Sequence, residues 1–199
     1  MGCLRNILRA IIITLAIVGF MAIGGKDFIG GYMKNYFNPS KDELLERAKK
    51  VGDFSHINDE FEIEKAAGIM GYNAVVAEHK ASGQKMFVVN SGDRQLLTED
   101  DLKSDNVEEK LYNAVKKVKY QAISVDDLKV TKRGTMHSYG KDYPYIKFEA
   151  RVKKLPIGDV GGIVSVAKTK EGESRLLISA NEKNKYSQLI SDEFFKKIK

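Results

Sequence analysis

The chain has 199 residues, with 33 Lys and Arg against 27 Asp and Glu, a formal charge of +6, and 43% hydrophobic residues. That length suits one domain of ordinary size plus an appendage, and that balance excludes a disordered or collagen-like chain. A single cysteine, Cys3, excludes a disulfide framework and a cysteine-based zinc site within one chain, and three histidines (His56, His79, His137) leave little material for a metal centre.

Residues 1–25 contain no Asp or Glu, and Arg5 and Arg9 precede an uncharged run of 16 residues from Ala10 to Gly25. Its apolar members include Ala10, Ile11, Ile12, Ile13, Leu15, Ile17, Val18, Phe20, Met21 and Ile23. A secretory apolar region is roughly 7–15 residues long, and a span of the hydrocarbon core takes about 17 or more. The run sits on that boundary. It reads as an uncleaved signal-anchor, with the two arginines holding the N-terminus in the cytoplasm. The body then lies on the extracytoplasmic side of a bacterial inner membrane, attached by a single pass. The alternative is a signal peptide cut near Gly24, with Ala22 and Gly24 as the small residues before the cut, which releases a secreted or periplasmic domain. Cys3 precedes the apolar run, whereas a lipoprotein cysteine follows one, and Asn6 stands where N-myristoylation asks for Ser or Thr.

Residues 26–39 form a juxtamembrane connector with Gly30-Gly31 and the aromatics Phe28, Tyr32, Tyr36 and Phe37. The domain occupies residues 40–199. Ser40 and Glu43 make a capping box, Leu44, Leu45, Ala48 and Val51 recur at helical spacing, and Gly52 is the expected stop. Phe61-Glu62-Ile63 reads as a short strand. Tyr72 to Lys80 and Gln84 to Asn90 read as a hairpin turning at Ser82-Gly83. After a polar loop at Ser91-Gly92-Asp93, Thr98 caps a short turn at Glu99 to Leu102. Asp105 and Glu108 then open a helix whose apolar stripe is Val107, Leu111, Ala114, Val115 and Val118.

From Tyr120 the pattern is mostly strand. Ile146, Phe148, Ala150 and Val152 alternate with Lys147, Glu149, Arg151 and Lys153, the cleanest two-residue period in the chain. Val160 to Lys168 is apolar on both faces, as a central strand is, and Arg175 to Ala180 is a further strand. A closing helix from about Asn184 to Ile198 places Tyr186, Leu189, Ile190, Phe194 and Ile198 on one side. The fold class is α+β: an antiparallel β-meander sheet packed with N-terminal, inserted and C-terminal helices, preceded by the hydrophobic leader.

This order of helix, strand pair, helical insertion, antiparallel meander and C-terminal helix ending in Phe194-Phe195 resembles the PsbP family, extrinsic proteins of the photosynthetic oxygen-evolving complex. The resemblance is one of architecture over Ser40 to Lys199, and no short motif carries it. It implies a binding or assembly module and transfers no functional residue. A cystatin-like or NTF2-like fold is the alternative.

No catalytic residue, metal ligand set or cofactor site is read from the sequence. There is no Gly-x-Ser-x-Gly, and His137 and Ser138 are strand neighbours that point to opposite faces. Asp53, His56 and Asp59 have ligand chemistry, but Gly52 and Phe54 argue for a loop. Gly158-Asp159-Val160-Gly161-Gly162 fits neither a dinucleotide nor a Walker loop. Charge is more informative. Residues 129–175 carry 11 basic and 5 acidic side chains, whereas residues 91–128 carry 6 basic and 9 acidic ones. Lys147, Arg151 and Lys153, with Lys129 and Arg133 from a neighbouring strand, form the expected face for an anionic partner or lipid surface.

The expected function is a membrane-tethered extracytoplasmic binding or assembly module without catalytic activity, whose partners are the bilayer and a protein, not nucleic acid. Two alternatives are a small enzyme with a site around Asp53, His56, His79 or His137, and a homo-oligomeric structural protein joined through the tether or a strand edge.

Overall fold

The computed structural model describes residues 40–69, 72–90, 92, 97–116, 124–153 and 159–199. The leader (1–25), the connector (26–39), Val118 and Gly158 lie outside the described residues, as do the side chains of Ala114, Val115 and Lys153. No helix among the described residues is long and apolar enough to cross a membrane.

The domain is α+β. Helix α1 (Lys41–Ala48) starts where its capping box requires, with the Ser40 hydroxyl accepting from the Glu43 amide and the Glu43 carboxylate accepting from the Ser40 amide. It stops at Ala48, four residues before Gly52. Gly52 instead serves a close approach, because a Cβ there would lie 2.9 Å from the Tyr139 hydroxyl.

Strands β1 (Phe61–Ile69), β2 (Tyr72–His79) and β3 (Gln84–Asn90) form one antiparallel meander. The two short helices α2 (Glu99–Lys103) and α3 (Val107–Lys116) follow. Strands β4 (Ser124–Ser138), β5 (Lys141–Lys153), β6 (Asp159–Lys168) and β7 (Ser174–Glu182) form a second meander, and helix α4 (Gln188–Lys196) ends the chain. The two meanders join by antiparallel pairing of β3 with β7, giving a seven-stranded sheet in the order β1-β2-β3-β7-β6-β5-β4.

β1 runs well past the expected Ile63. A bulge between Ile63 and Lys65 inserts Glu64 and shifts the phase of the inward residues, so Ala66 rather than Lys65 is the next buried position. β4 holds two bulges, between Val125 and Asp127 and between Val130 and Lys132. The β4–β5 hairpin closes through Tyr139-Gly140, both with positive φ (48° and 76°), the requirement of a two-residue turn that follows the strand twist.

Both faces of the sheet are covered. On one, Val76, Phe87, Ile146, Val164, Val166 and Ile178 pack under Leu97, Leu102, Val107 and Leu111 of the α2–α3 insertion. On the other, Val75, Met86, Val88, Ile163 and Leu177 pack under Leu44, Ala48 and Val51 of α1 and its following turn, and under Phe194, Phe195 and Ile198 of α4. Burying each large side chain contributes about 1.5–3 kcal/mol.

The apolar stripe of α4 differs from the expected one. Leu189 is 78% exposed, while Ser191 and Phe195 are buried. Ser191, Phe194, Phe195 and Ile198 share the inward side, and at about 100° per residue Leu189 lies opposite Ser191. Ser191 faces the core because Gln84 and Ser179, both wholly buried, hydrogen-bond to its hydroxyl at 3.0 and 2.9 Å.

Candidate functional site

The register decides which basic side chains share a surface. Lys147 and Arg151 project from the α4 side of β5, opposite Ile146 and Ala150. Lys129 pairs across from Glu149 and joins them. Arg133 does not. The bulge between Val130 and Lys132 puts Lys132 opposite Lys147 and turns Arg133 opposite Ile146, onto the other side of the sheet. There its guanidinium donates to the Leu102 and Ser104 carbonyls at the end of α2, both at 2.9 Å.

The remaining face is mixed rather than basic. Lys129 pairs with Asp127 at 3.7 Å, Arg151 with Asp159 at 3.3 Å, and Glu149 with Lys183 at 2.6 Å. Lys147 lies over the Tyr186 ring, 5.4 Å from its centroid. The Lys183 ammonium has its pKa raised by its hydrogen bond to Glu149 and the charge beside it. Exposed pairs of this kind add little stability, but they do cancel the field that a bare strand of lysines would project.

Positive charge without a carboxylate at ion-pair distance among the described residues sits elsewhere, at the end of the sheet that holds the β4–β5 and β6–β7 turns. Several segments meet there. The Val51 carbonyl accepts from the Tyr139 hydroxyl at 3.0 Å and from Arg175 Nε at 2.8 Å. The Tyr139 amide donates to the Ile198 carbonyl, Asp53 and Lys199 exchange two backbone hydrogen bonds, and the Tyr143 hydroxyl donates to the Lys168 carbonyl. Buried Arg175 and Tyr139 thus close the end of α1, where the helix dipole favours a cation, and burial raises the Tyr139 pKa.

Around this junction Lys50, Lys141, Lys168, Lys170, Lys197 and Lys199 are exposed, and none has a carboxylate within ion-pair distance among the described residues. The acidic groups at the same end are Asp53, Asp142, Glu171 and Glu173. All four are engaged locally: Asp53 by the Ser55 amide at 2.8 Å, Asp142 by His137 at 2.8 Å, Glu173 by Arg175 at 2.5 Å, and Glu171 by its own amide and Thr169, with the charge of Lys170 beside it. Lys141, Lys168 and Lys170 already stood in the basic tally of residues 129–175. Only the strand topology brings them beside Lys50, Lys197 and Lys199.

Opposite charge gathers between α3 and β4. An open groove of about 760 Å³ is lined by Asp105, Asn106, Glu108, Glu109, Tyr112 and Asp127, among others. The Glu108 carboxylate accepts from the Val130 amide at 2.9 Å, so this acid covers the edge of β4. A third charged cluster, unread in the sequence, lies where β1 is bulged. Lys85 Nζ bridges Glu64 at 2.7 Å and Glu78 at 2.5 Å. Burial and the neighbouring Glu78 raise the Glu64 pKa, while hydrogen bonds from Glu64 and Lys85 outweigh burial at Glu78 and lower its pKa.

The residues considered for chemistry lie in the loop after α1 (Asp53, His56) and at the ends of strands β2 and β4 (His79, His137). The His79 ring accepts from the Ser82 amide at 3.3 Å through the Nδ1 that also meets the Ser82 hydroxyl at 2.9 Å, which makes the pair a lock on the β2–β3 turn. His56 lies 4.0 Å from Asp53 and 3.2 Å from the Lys199 ammonium, in the loop that Gly52 and Phe54 predict. None of Asp53, His56, His79 and His137 lines the groove. Among the described residues no group of three His, Cys, Asp or Glu side chains is placed to hold a metal ion.

Comparison with known protein families and with curated proteins gives no match to this chain.

Proposed function

We propose that the chain is a membrane-tethered binding or assembly module. Residues 1–25 hold it in a bacterial inner membrane, and the α+β domain lies on the extracytoplasmic side and works by contact with an anionic partner rather than by catalysis. One observation carries this reading: the uncharged run from Ala10 to Gly25 preceded by Arg5 and Arg9, with no acidic residue in the first 25. The exposed lysines at one end of the sheet, which have no carboxylate within ion-pair distance among the described residues, are consistent with it, because such cations attract anions over a Debye length. The resemblance to the PsbP family belongs to the same proposal and concerns the scaffold alone.

Cell fractionation with alkaline extraction and N-terminal sequencing tests the reading. The expected result is an uncut chain in the extracted membrane pellet, with the domain open to protease from outside the inner membrane. An intact N-terminus in the soluble fraction overturns the tether, and a new terminus at about Gly25 replaces it with export and release.

A further inference from the structure

We propose that the turn end of the sheet rests on anionic lipid headgroups, so that the tethered domain stands end-down on its own bilayer. The inference rests on the tether reading for its geometry, and on the placement of six lysines for its chemistry. Lys141 borders the β4–β5 turn, Lys168 and Lys170 belong to the β6–β7 turn, Lys50 follows α1, and Lys197 and Lys199 follow α4. These segments are pinned together through the Val51, Ile198 and Lys168 carbonyls. The lysines therefore form one rim on a rigid junction and not a set of independent tails. All six are exposed and lack a carboxylate partner among the described residues, so a headgroup phosphate displaces no ion pair when it approaches.

Reach and polarity favour the bilayer as the occupant. The connector of residues 26–39 spans at most about 50 Å, which keeps the domain near the membrane surface. The chain enters the domain at Ser40. The eight residues of α1 rise only about 12 Å before the turn whose Val51 carbonyl sits in the lysine rim. The rim is thus close to the point of attachment. The acidic groove lies off this end, against α3 and the Asp127–Leu128 part of β4, so it does not face a bilayer on which the rim rests. An anionic leaflet attracts juxtamembrane lysines within a Debye length and repels the groove.

The test places the full-length chain in vesicles of phosphatidylcholine alone or with phosphatidylglycerol, and reads lysine acylation by a membrane-impermeant reagent with mass spectrometry. Lys141, Lys168 and Lys170 are expected to react at least about threefold more slowly in the anionic vesicles. Lys80 and Lys185, at the opposite end of the sheet, are expected to be unchanged, and the difference is expected to vanish near 1 M salt, where the screening length is about 3 Å.

In Lys141→Glu/Lys168→Glu/Lys170→Glu, whose substitutions break no side-chain hydrogen bond or ion pair among the described residues, Lys197 and Lys199 are expected to react equally in both vesicles. Flotation keeps the two readings apart. A chain that floats with both vesicles but labels equally in both overturns the headgroup contact alone. One that floats only with anionic vesicles overturns the tether and supports the contact, and one that floats with neither overturns both. Protection in native membranes but not in anionic vesicles assigns the rim to an acidic protein and overturns the lipid.

Discussion

Two buried serines have opposite energetic signs. The Ser191 hydroxyl meets Gln84, Ser179 and Tyr186 at 2.9–3.0 Å, and the same Gln84 side chain bonds both the amide and the carbonyl of Ser187 at the start of α4. The Ser138 hydroxyl is as deeply buried and has no hydrogen-bond partner among the described residues. Removing one member of a satisfied buried network strands the others, at about 1–3 kcal/mol, whereas removing an unsatisfied hydroxyl ends a desolvation penalty. Ser191→Ala is therefore expected to lower the urea unfolding free energy by about 1–3 kcal/mol, and Ser138→Ala to leave it unchanged or raise it by up to about 1 kcal/mol. Equal losses in the two variants would contradict the network. Neither effect is legible from residue type, because a serine in a helical or strand pattern counts as polar until its burial and partners are known.

At the scale of elements, the local rules held where they needed only local information. Thr98 and Asp101 form a reciprocal cap on α2, and the Asp101 carboxylate also meets Lys110 of α3 at 2.8 Å. Burial pushes the Asp101 pKa up, but the Lys110 and Thr98 bonds together outweigh it, and the net shift is downward. A carboxyl group with a depressed folded pKa adds stability above its unfolded pKa of about 4 and loses it as pH falls through the folded value. Asp101→Asn, which keeps an acceptor but not the charge, is expected to cost about 1 kcal/mol at pH 7. The gap between wild type and variant is expected to close as pH falls from about 4 to 2. A gap independent of pH would assign the effect to packing.

Such caps, the Ser40–Glu43 box and the alternation of β5 were readable because each signal lies within four residues or repeats without interruption. The extents of β1 and β4 are not legible in the sequence because bulges at Glu64, near Asp127 and near Lys132 reset a two-residue period. The placement of Arg133 on the other face has the same origin, since one inserted residue exchanges the two faces of a strand. The lysine rim was unreadable for another reason: its members come from four parts of the chain that only the order β3-β7-β6-β5-β4 brings to one end.

For the whole molecule, the open sheet leaves two edges, β1 and β4, and an unguarded edge invites pairing with a second copy. Both are guarded. β1 carries its bulge at Glu64, held by Lys85, and β4 carries two bulges, the Glu108 carboxylate on the Val130 amide, and exposed Lys129 and Lys132. Bulges twist an edge away from a flat partner, and lysines in register with a second copy repel. These features argue against assembly through the strand edges. Lys129→Val/Lys132→Val lowers the charge of the longest strand and raises its β-propensity. The detergent-solubilised full-length variant is expected to show concentration-dependent association by light scattering, where wild type and Lys129→Arg/Lys132→Arg show none. Association of the arginine control and wild type to the same extent as the valine variant would show that charge on β4 does not guard the edge.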